Sequence, residues 1–483
     1  MALKDIRQNR ISKIDKLKKV GINPYPVKTR KNKTIKETIN KQDELIKEEK
    51  ELILAGRIMS LRPHGGSVFG NIKEKNKGIQ FFIKKDTVGD KSFNLFIDTI
   101  DVGDFVEIRG TLFLTKTKEL TLVIKEWTIL SKSILPLPDK WHGLKDKETR
   151  YRKRYLDLLM NPELKPRIEF RSKFIKLIRE FLEENGFMEV ETPILQSQAG
   201  GALAKPFKTK LNALNIDLFL RIAPELYLKR LIIGGFDKVY EVAKCFRNEG
   251  IDFSHNPEFT QIEFYWAYCD YEKLIDFTEK MLLEIVKSFP EQPLSKKIKE
   301  KIKEPLPRIE YAKLFKNETG FDIETATKED LEKKLEDQGI KDFERGDKWR
   351  LIDEVFKKIC LKKIDYPFFL IHHPLALSPL AKKKDEQTVA RFQLIIERLE
   401  VVNAYSELND PIDQKERFEL QQERAKKGEK EIHPYDKDFV EALEYGMPPT
   451  AGWGMGIDRL VALFTESSNL KEVILFPLMR SKK

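Results

Sequence analysis

The sequence predicts an α+β protein in two parts: a small five-stranded β-barrel, then a larger body built on an antiparallel sheet flanked by helices. Three observations lead to it. Residues 51–134 break into five short apolar runs separated by Gly, Asn, Lys and Asp. The stretch LPLPDKWHG at 135–143 is a proline-rich interruption. Beyond it, apolar residues recur at helical spacing in some segments and as short strand-like runs in others. A chain of 483 residues is also long for a single core, and 41 % hydrophobic residues suffice to fill two.

Taken in order, residues 1–50 alternate basic and apolar positions and predict one or two surface helices, an N-terminal helical extension. ELILAGRIMS, SVFGNI, GIQFFIKK, DFVEIRGTLFL and ELTLVIKEWTIL then predict five strands over 51–134, for which an OB-fold is the natural candidate. Alternation in the third run puts Ile79, Phe81 and Ile83 on one face and Gln80, Phe82 and Lys84 on the other. An amide, an aromatic ring and a cation on one exposed face suit base stacking and phosphate contact, and equally an ordinary strand with one exposed Phe. Residues 135–150 form a linker, and 151–483 form the body. There Phe170, Phe174, Leu177, Ile178, Phe181 and Leu182 mark one helix face, with Asn185-Gly186 as its stop. The charged, proline-punctuated segment 290–345 predicts a helical insertion.

Composition narrows the function. Residues 1–150 carry 32 Lys+Arg against 20 Asp+Glu, whereas the rest carry 57 against 58. That asymmetry fits a module that meets a polyanion on a neutral body, or simply a lysine-rich surface; charge alone does not separate the two. Three scattered cysteines, Cys245, Cys269 and Cys360, exclude a disulfide framework or a CxxC zinc site. The six histidines form no metal-ligand pattern. The absence of a signal-like N-terminus and of a long uncharged apolar run leads to the expectation of a soluble, cytoplasmic protein with no membrane partner.

Two segments carry chemistry. In the first, the apolar run VYEVAKCF leads through Arg247-Asn248-Glu249-Gly250 and His255-Asn256-Pro257-Glu258-Phe259 into TQIEFYWAY. The pattern predicts an antiparallel pair with a long connection, Arg247 and Glu249 sharing a face of the first strand and Glu263 and Tyr265 a face of the second. Charged groups on apolar strands are costly without partners, so a phosphate for Arg247 and an ammonium for Glu263 would satisfy them, as would an internal Arg–Glu pair. In the second, Gly452-Trp453-Gly454-Met455-Gly456-Ile457-Asp458-Arg459 predicts a glycine loop entering a helix. Arg459 falls in the first helical turn, where a cation opposes the macrodipole unless a phosphate compensates. The loop lacks the GK[ST] ending of a P-loop and the GxGxxG of a Rossmann unit.

Together these segments resemble the class II aminoacyl-tRNA synthetases: FLEENGFMEVETPIL is similar to their first motif, FRNEG…HNPEFTQIEFY to the second, and GWGMGIDR to the third. The OB-like N-terminal part is similar to the subgroup serving lysine, aspartate and asparagine. RIAPELYLKR, the HNPEF loop and NAYSELNDP are similar to its lysine-specific members. The resemblance runs from about residue 50 to the C-terminal end. It implies a ligase that activates lysine with ATP as lysyl-adenylate, releases pyrophosphate, and transfers lysine to the 3′-terminal adenosine of tRNA(Lys).

It further implies that Arg247 and Glu249 hold the α-phosphate and the adenine side of ATP, and that Arg459 holds the γ-phosphate. His255, Asn256 and Phe259 would order the loop over the triphosphate, Phe259 stacking on adenine. Lysine would meet Gly201 and Glu225 with its α-amino group and Glu263 and Glu407 with its side-chain ammonium, among Tyr265, Asn403 and Tyr405. Glu400 would hold Mg2+, more than one ion being expected. Phe69, Gln80 and Phe82 would read the anticodon, and the first motif implies a homodimer. One departure stands out: Gln393 in RFQLIIERLE occupies the place of a metal-binding glutamate, and Glu397-Arg398 replaces a pair of glycines. A ligase for aspartate or asparagine fits poorly, because an acidic substrate wants cations where this chain has Glu225, Glu263 and Glu407.

Overall fold

The computed structural model describes residues 2–138, 144–202, 204–289, 295–302, 305–343, 346–426 and 435–481. Parts of the expected linker, at 139–143, and of the expected insertion, at 290–294, 303–304 and 344–345, lie outside the described residues. The chain divides into two compact units, Met1–Pro162 and Glu163–Lys483, so the helices Lys147–Arg152 and Arg154–Met160 belong with the first.

The first unit is a closed barrel of five strands, β1 (Leu52–His64), β2 (Ser67–Glu74), β3 (Lys77–Lys84), β4 (Phe105–Leu114) and β5 (Leu120–Ser131), in the order β1-β2-β3-β5-β4. Period-two burial is plain in β1 and β2, where every second side chain enters the core. The barrel closes through the parallel pairing of β3 with β5. The N-terminal segment forms three helices where one or two were expected. Its helices, Leu3–Lys19, Ile35–Asn40 and Gln42–Lys47, bury Leu17, Ile35 and Leu45 in the barrel core. Arg10 is buried and donates to the carbonyls of Val102, Ser133 and Leu135. Each helix thus adds one aliphatic side chain to the core of the barrel unit.

The second unit is built on an eight-stranded sheet. Its strands are β6 (Met188–Glu189), β10 (Lys238–Phe246), β11 (Glu258–Ala267), β12 (Arg308–Glu310), β13 (Phe368–Ile371), β14 (Arg391–Ile396), β15 (Leu399–Ser406) and β16 (Thr450–Gly456). They lie in the order β12-β13-β14-β15-β16-β11-β10-β6. The six central strands pair antiparallel, and a parallel strand closes each edge. A three-stranded sheet of β7 (Leu195–Gln196), β9 (Ile216–Leu220) and β8 (Lys208–Leu211) lies beside it in sequence. The segment at 290–345 is not purely helical: it supplies edge strand β12.

Alternation sorts the central strands into two faces. One sends Ile262, Phe264, Val402, Ala404, Trp453 and Met455 into the core, where Phe264 and Trp453 stack at 4.8 Å. The helices Leu164–Glu184 and Tyr271–Ser288 cover that face with Phe170, Phe174, Ile178, Phe277 and Met281. The first of these ends at Asn185-Gly186, Gly186 having φ +82°. The opposite face carries the site.

Candidate active site

On that face β16 runs between β11 and β15. Register places Gly454 between Glu263 and Asn403, and Gly452 between Tyr265 and Tyr405. The alternate glycines, expected as a loop, are therefore the middle strand, and the helix Ile457–Phe464 begins directly after them. With no Cβ they form a floor, and the polar side chains of the two flanking strands converge above it. A Cβ on Gly452 would run into the Glu407 carboxylate and the Tyr265 ring.

Above this floor lies a cavity of about 390 Å³, lined among others by Gly201, Glu225, Arg247, Glu249, His255, Asn256, Phe259, Glu263, Tyr265, Glu400, Asn403, Tyr405, Glu407 and Arg459. These were the residues expected at one site from segments more than 200 positions apart, and one enclosure gathers them; Gln393 alone of the expected group is not on its wall.

One end is acidic and dry. Glu225, Glu263 and Glu407 are 5 %, 8 % and 1 % exposed. Glu263 accepts from the amide of Gln261 at 2.6 Å and from the hydroxyl of Tyr265 at 3.3 Å, and Tyr405 donates to Glu225 at 2.7 Å. Burial, reinforced by neighbouring Glu225, pushes the Glu263 carboxyl well above the usual range. Burial also pushes Glu407 up to about 8, against the pull of Lys229. Gly201 sits at φ +86°, close against Glu225 and Ala223, where a side chain would not fit.

The other end is cationic. Arg247 lies not on β10, as expected, but one residue past its end, its N–H donating to Pro257 O at 2.8 Å. Glu249 is further along and exposed, so the two do not share a strand face. The Arg247 guanidinium stacks over the Phe259 ring at 5.0 Å. Its Nε is buried without a partner among the described residues, and burial pulls its affinity for a proton below the ordinary guanidinium range. Arg459 binds back to the connecting loop, donating to Ser254 O and meeting His255 Nε2 at 3.0 Å, with a further bond to Glu400 O. His255 is braced by Asp252, and Asn256 Oδ1 is a second buried atom without a partner. Two orphaned polar atoms at this end mark it as a place for a polar ligand. Asp458 anchors the arrangement: it accepts from Thr260 N at 2.9 Å and pairs with Arg171.

Glu400 reaches the cavity through a β-bulge. Pairing of β14 with β15 slips between Leu394 and Ile395, so Glu400 faces the same side as Asn403 despite their odd spacing. Gln393 donates to Glu400 Oε2 at 2.7 Å, and its carbonyl oxygen meets His373 Nε2 at 2.9 Å. Burial holds His373 neutral, well below its usual range, so Nε2–H donates and Gln393 accepts. Glu397 and Arg398 form the two-residue hairpin turn, both at positive φ (49° and 67°), the conformation glycine adopts most readily.

The barrel holds its own cavity, lined by Arg62, His64, Phe69, Gln80, Phe113, Lys116 and Glu119 among others. Phe69 and Phe82 pack at 4.5 Å. Gln80 is a correction: it is 6 % exposed, donates to Glu119 and accepts from Thr121, so its amide is already engaged on a face read as open. The sequence reading also passed over Lys229, fully buried beside Glu225 and Glu407. The signal was its place four residues after Glu225 on a largely apolar helix.

A model of the class II tRNA synthetases (D, K and N) matches residues 146–480, and one of OB-fold nucleic acid binding domains matches residues 52–130. The chain belongs to the class II tRNA synthetases of that aspartate, lysine and asparagine group. It is 46 % identical over 489 residues to a lysine–tRNA ligase of Thermotoga maritima, covering 100 % of this chain and 97 % of that protein. It is 50 % identical over 441 residues to the lysine–tRNA ligase of Aquifex aeolicus, covering 89 % and 73 %. A lysine–tRNA ligase of Fervidobacterium nodosum is 46 % identical over 486 residues, 99 % of this chain and 94 % of that protein.

Proposed function

We propose that the protein is a lysine–tRNA ligase, forming lysyl-adenylate from lysine and ATP and then charging tRNA(Lys) in the cytoplasm. The observation that carries the choice of amino acid is the dry cluster of Glu225, Glu263 and Glu407 in the same cavity as Arg247 and Arg459. A cationic amino acid fits that end, and aspartate is repelled from it.

The chemistry needs no covalent nucleophile from the protein. The lysine carboxylate attacks the α-phosphorus in line and pyrophosphate leaves, so the chain contributes position and charge. Arg247, with its free Nε, takes the developing charge where carboxylate and α-phosphate meet, and Phe259 with Glu249 receives adenine. Arg459, braced by the 250–257 loop, holds the terminal phosphate with His255 and Asn256. Glu225 takes the α-ammonium beside Gly201, while Glu263 and Glu407 take the side-chain ammonium between Tyr265, Tyr405 and Asn403.

For Mg2+, Glu400 is the candidate carboxylate on the phosphate side, Asp458 there being paired with Arg171 and Glu249 serving adenine, and no group of three or more His, Cys, Asp or Glu is assembled among the described residues. This donor set fits an ion held by one carboxylate and by the triphosphate itself. Gln393 turns its N–H to Glu400 and its oxygen to His373, an arrangement that favours orienting Glu400 over ligating a second ion. When bound, the metal supplies neutralisation of the phosphate charge. Phe69 and Phe82 offer stacking surfaces for anticodon bases, and a homodimer is formed through the first-motif region.

ATP–pyrophosphate exchange with lysine, aspartate and asparagine in parallel, followed by tRNA charging, tests the reading. Exchange with lysine alone is expected. Exchange with aspartate or asparagine in its place would overturn it.

A further inference from the structure

Behind the acidic end of the cavity, Lys229 has no exposed surface. Its ammonium donates to Glu225 Oε1 at 2.6 Å and lies 2.5 Å from Glu407 Oε2, a contact made by charge more than by a well-directed hydrogen bond. The rings of Tyr405, Phe439 and Tyr265 surround it at 5.6–6.0 Å. It does not line the cavity, so it reaches the site only through those two acids and the rings of Tyr265 and Tyr405.

The charged and titratable groups facing this enclosure can be named element by element. The helix Glu225–Ile233 contributes Glu225 and Lys229, its Arg230 turning away to Asp436. Strand β11 contributes Glu263 and Tyr265, and β15 with the residue after it contributes Tyr405 and Glu407. The helix Lys437–Glu444 presents only the Phe439 ring. Of the cations at the border, Arg247 stacks on Phe259, and Arg391 is held by Asn403, Ser378 and Leu377 O. Among the described residues, three buried carboxyls therefore share one ammonium of their own; Arg247, which also favours the ionised form of Glu263, stands at the phosphate end, where the substrate's own negative charge meets it. An enclosure this dry does not hold uncompensated charge.

We propose that Lys229 is a built-in counter-charge that leaves the enclosure two positive charges short of neutral, matching a substrate with two ammonium groups. The inference rests on reading the cavity as the lysine site. In the empty site Lys229 balances one carboxylate and the other two carboxyls hold protons, in keeping with burial pushing up Glu263 and Glu407. Lysine's two ammonium groups then displace two protons to solvent, and the charge of the enclosure is unchanged. Lys229 is thus a positioning residue that sets the charge count and holds Glu225 and Glu407 apart.

Two measurements test this. Calorimetry of lysine binding to the wild-type protein at pH 6.5, in buffers of different ionisation heat, should show release of about two protons per lysine. Release of one or none overturns the proposal. In Lys229→Ala, KM for lysine in pyrophosphate exchange should rise about 30-fold or more. Propylammonium, which replaces the atoms removed, should lower that KM about tenfold, whereas 1-propanol, of like shape without charge, should not. No rescue by propylammonium, or equal rescue by propanol, overturns a role for charge. If the variant does not fold, the wild-type proton count decides alone. Absence of lysine-dependent exchange in the wild type would instead refute the ligase reading.

Discussion

Glu263 shows how much one side chain can carry when water is kept out. It lies on the central strand pair, opposite Gly454, with one oxygen bonded by Gln261 and the other by Tyr265. A protonated or amide group keeps those neutral partners; only a carboxylate also pairs with an ammonium. Glu263→Gln is therefore expected to cost about 2–5 kcal/mol in the use of lysine, as for truncating one partner of a buried charge pair. The check is kcat/KM for lysine in pyrophosphate exchange, with KM for ATP as the internal control; near wild-type efficiency would remove Glu263 from the site. At this scale the sequence was legible where a charge interrupted an apolar run, as at Arg247, Glu263 and Arg459. It was illegible where a charge was hidden by an ordinary helical spacing, as at Lys229; at Glu400 alternation alone would have turned the side chain away from Asn403, and only the family resemblance pointed to it.

Among elements, β16 and the barrel strand β3 make opposite points. The GWGMG run of β16 reads as a loop by composition, yet it is a central strand, because the rows of polar side chains on β11 and β15 leave space only for a strand without side chains on that face. In β3, strict alternation predicted an open polar face, but neighbouring β5 supplied Thr121 to close over Gln80. Phe82 keeps its partner Phe69 near the surface and remains the better candidate for stacking. Phe82→Ala is expected to weaken tRNA use by about 1–3 kcal/mol, the usual worth of one stacked base. It should appear in KM for tRNA during charging and leave pyrophosphate exchange unchanged, since the residues lining the catalytic cavity belong to the second unit. A matching loss of exchange would tie Phe82 to the fold instead.

For the whole molecule, burial of acids has a consequence for stability. Glu407 and Glu263 hold their protons more tightly folded than unfolded, so their contribution to stability is full below the ordinary carboxylate range, near pH 4.5. It is lost as pH rises through the folded value of Glu407, about 8. The ligand-free protein should melt at lower temperature at pH 8.5 than at pH 6.5 on this account, and added lysine should raise the melting temperature more at the higher pH. Scanning calorimetry with and without lysine checks both, and a lysine-induced shift that shrinks with pH would contradict the charge assignment. A second consequence concerns assembly. Met188, Ile194, Leu195, Leu214 and Ile216 are exposed on and beside the small strands after the first-motif helix. If the proposed homodimer forms through this surface, Leu195→Asp shifts it to monomer in analytical ultracentrifugation; a wild-type protein that is monomeric at micromolar concentration would rule the dimer out.

The sequence by itself determined the two-part α+β organisation, because hydrophobic periodicity is local and survives without neighbours: five barrel strands, the helix stopped at Asn185-Gly186, and the pair of strands around Arg247 and Glu263 could all be read along the chain. It also determined the types of group at the site, since an arginine or glutamate set among apolar residues must find a partner somewhere. Tertiary structure alone decided which partners. The register of β16 between β11 and β15 built the cavity floor, the bulge in β15 aimed Glu400, and the packing of the Glu225–Ile233 helix placed Lys229 against Glu407 from far along the chain. Such arrangements depend on contacts between distant segments and on the exclusion of water, and neither leaves a local pattern in the order of residues.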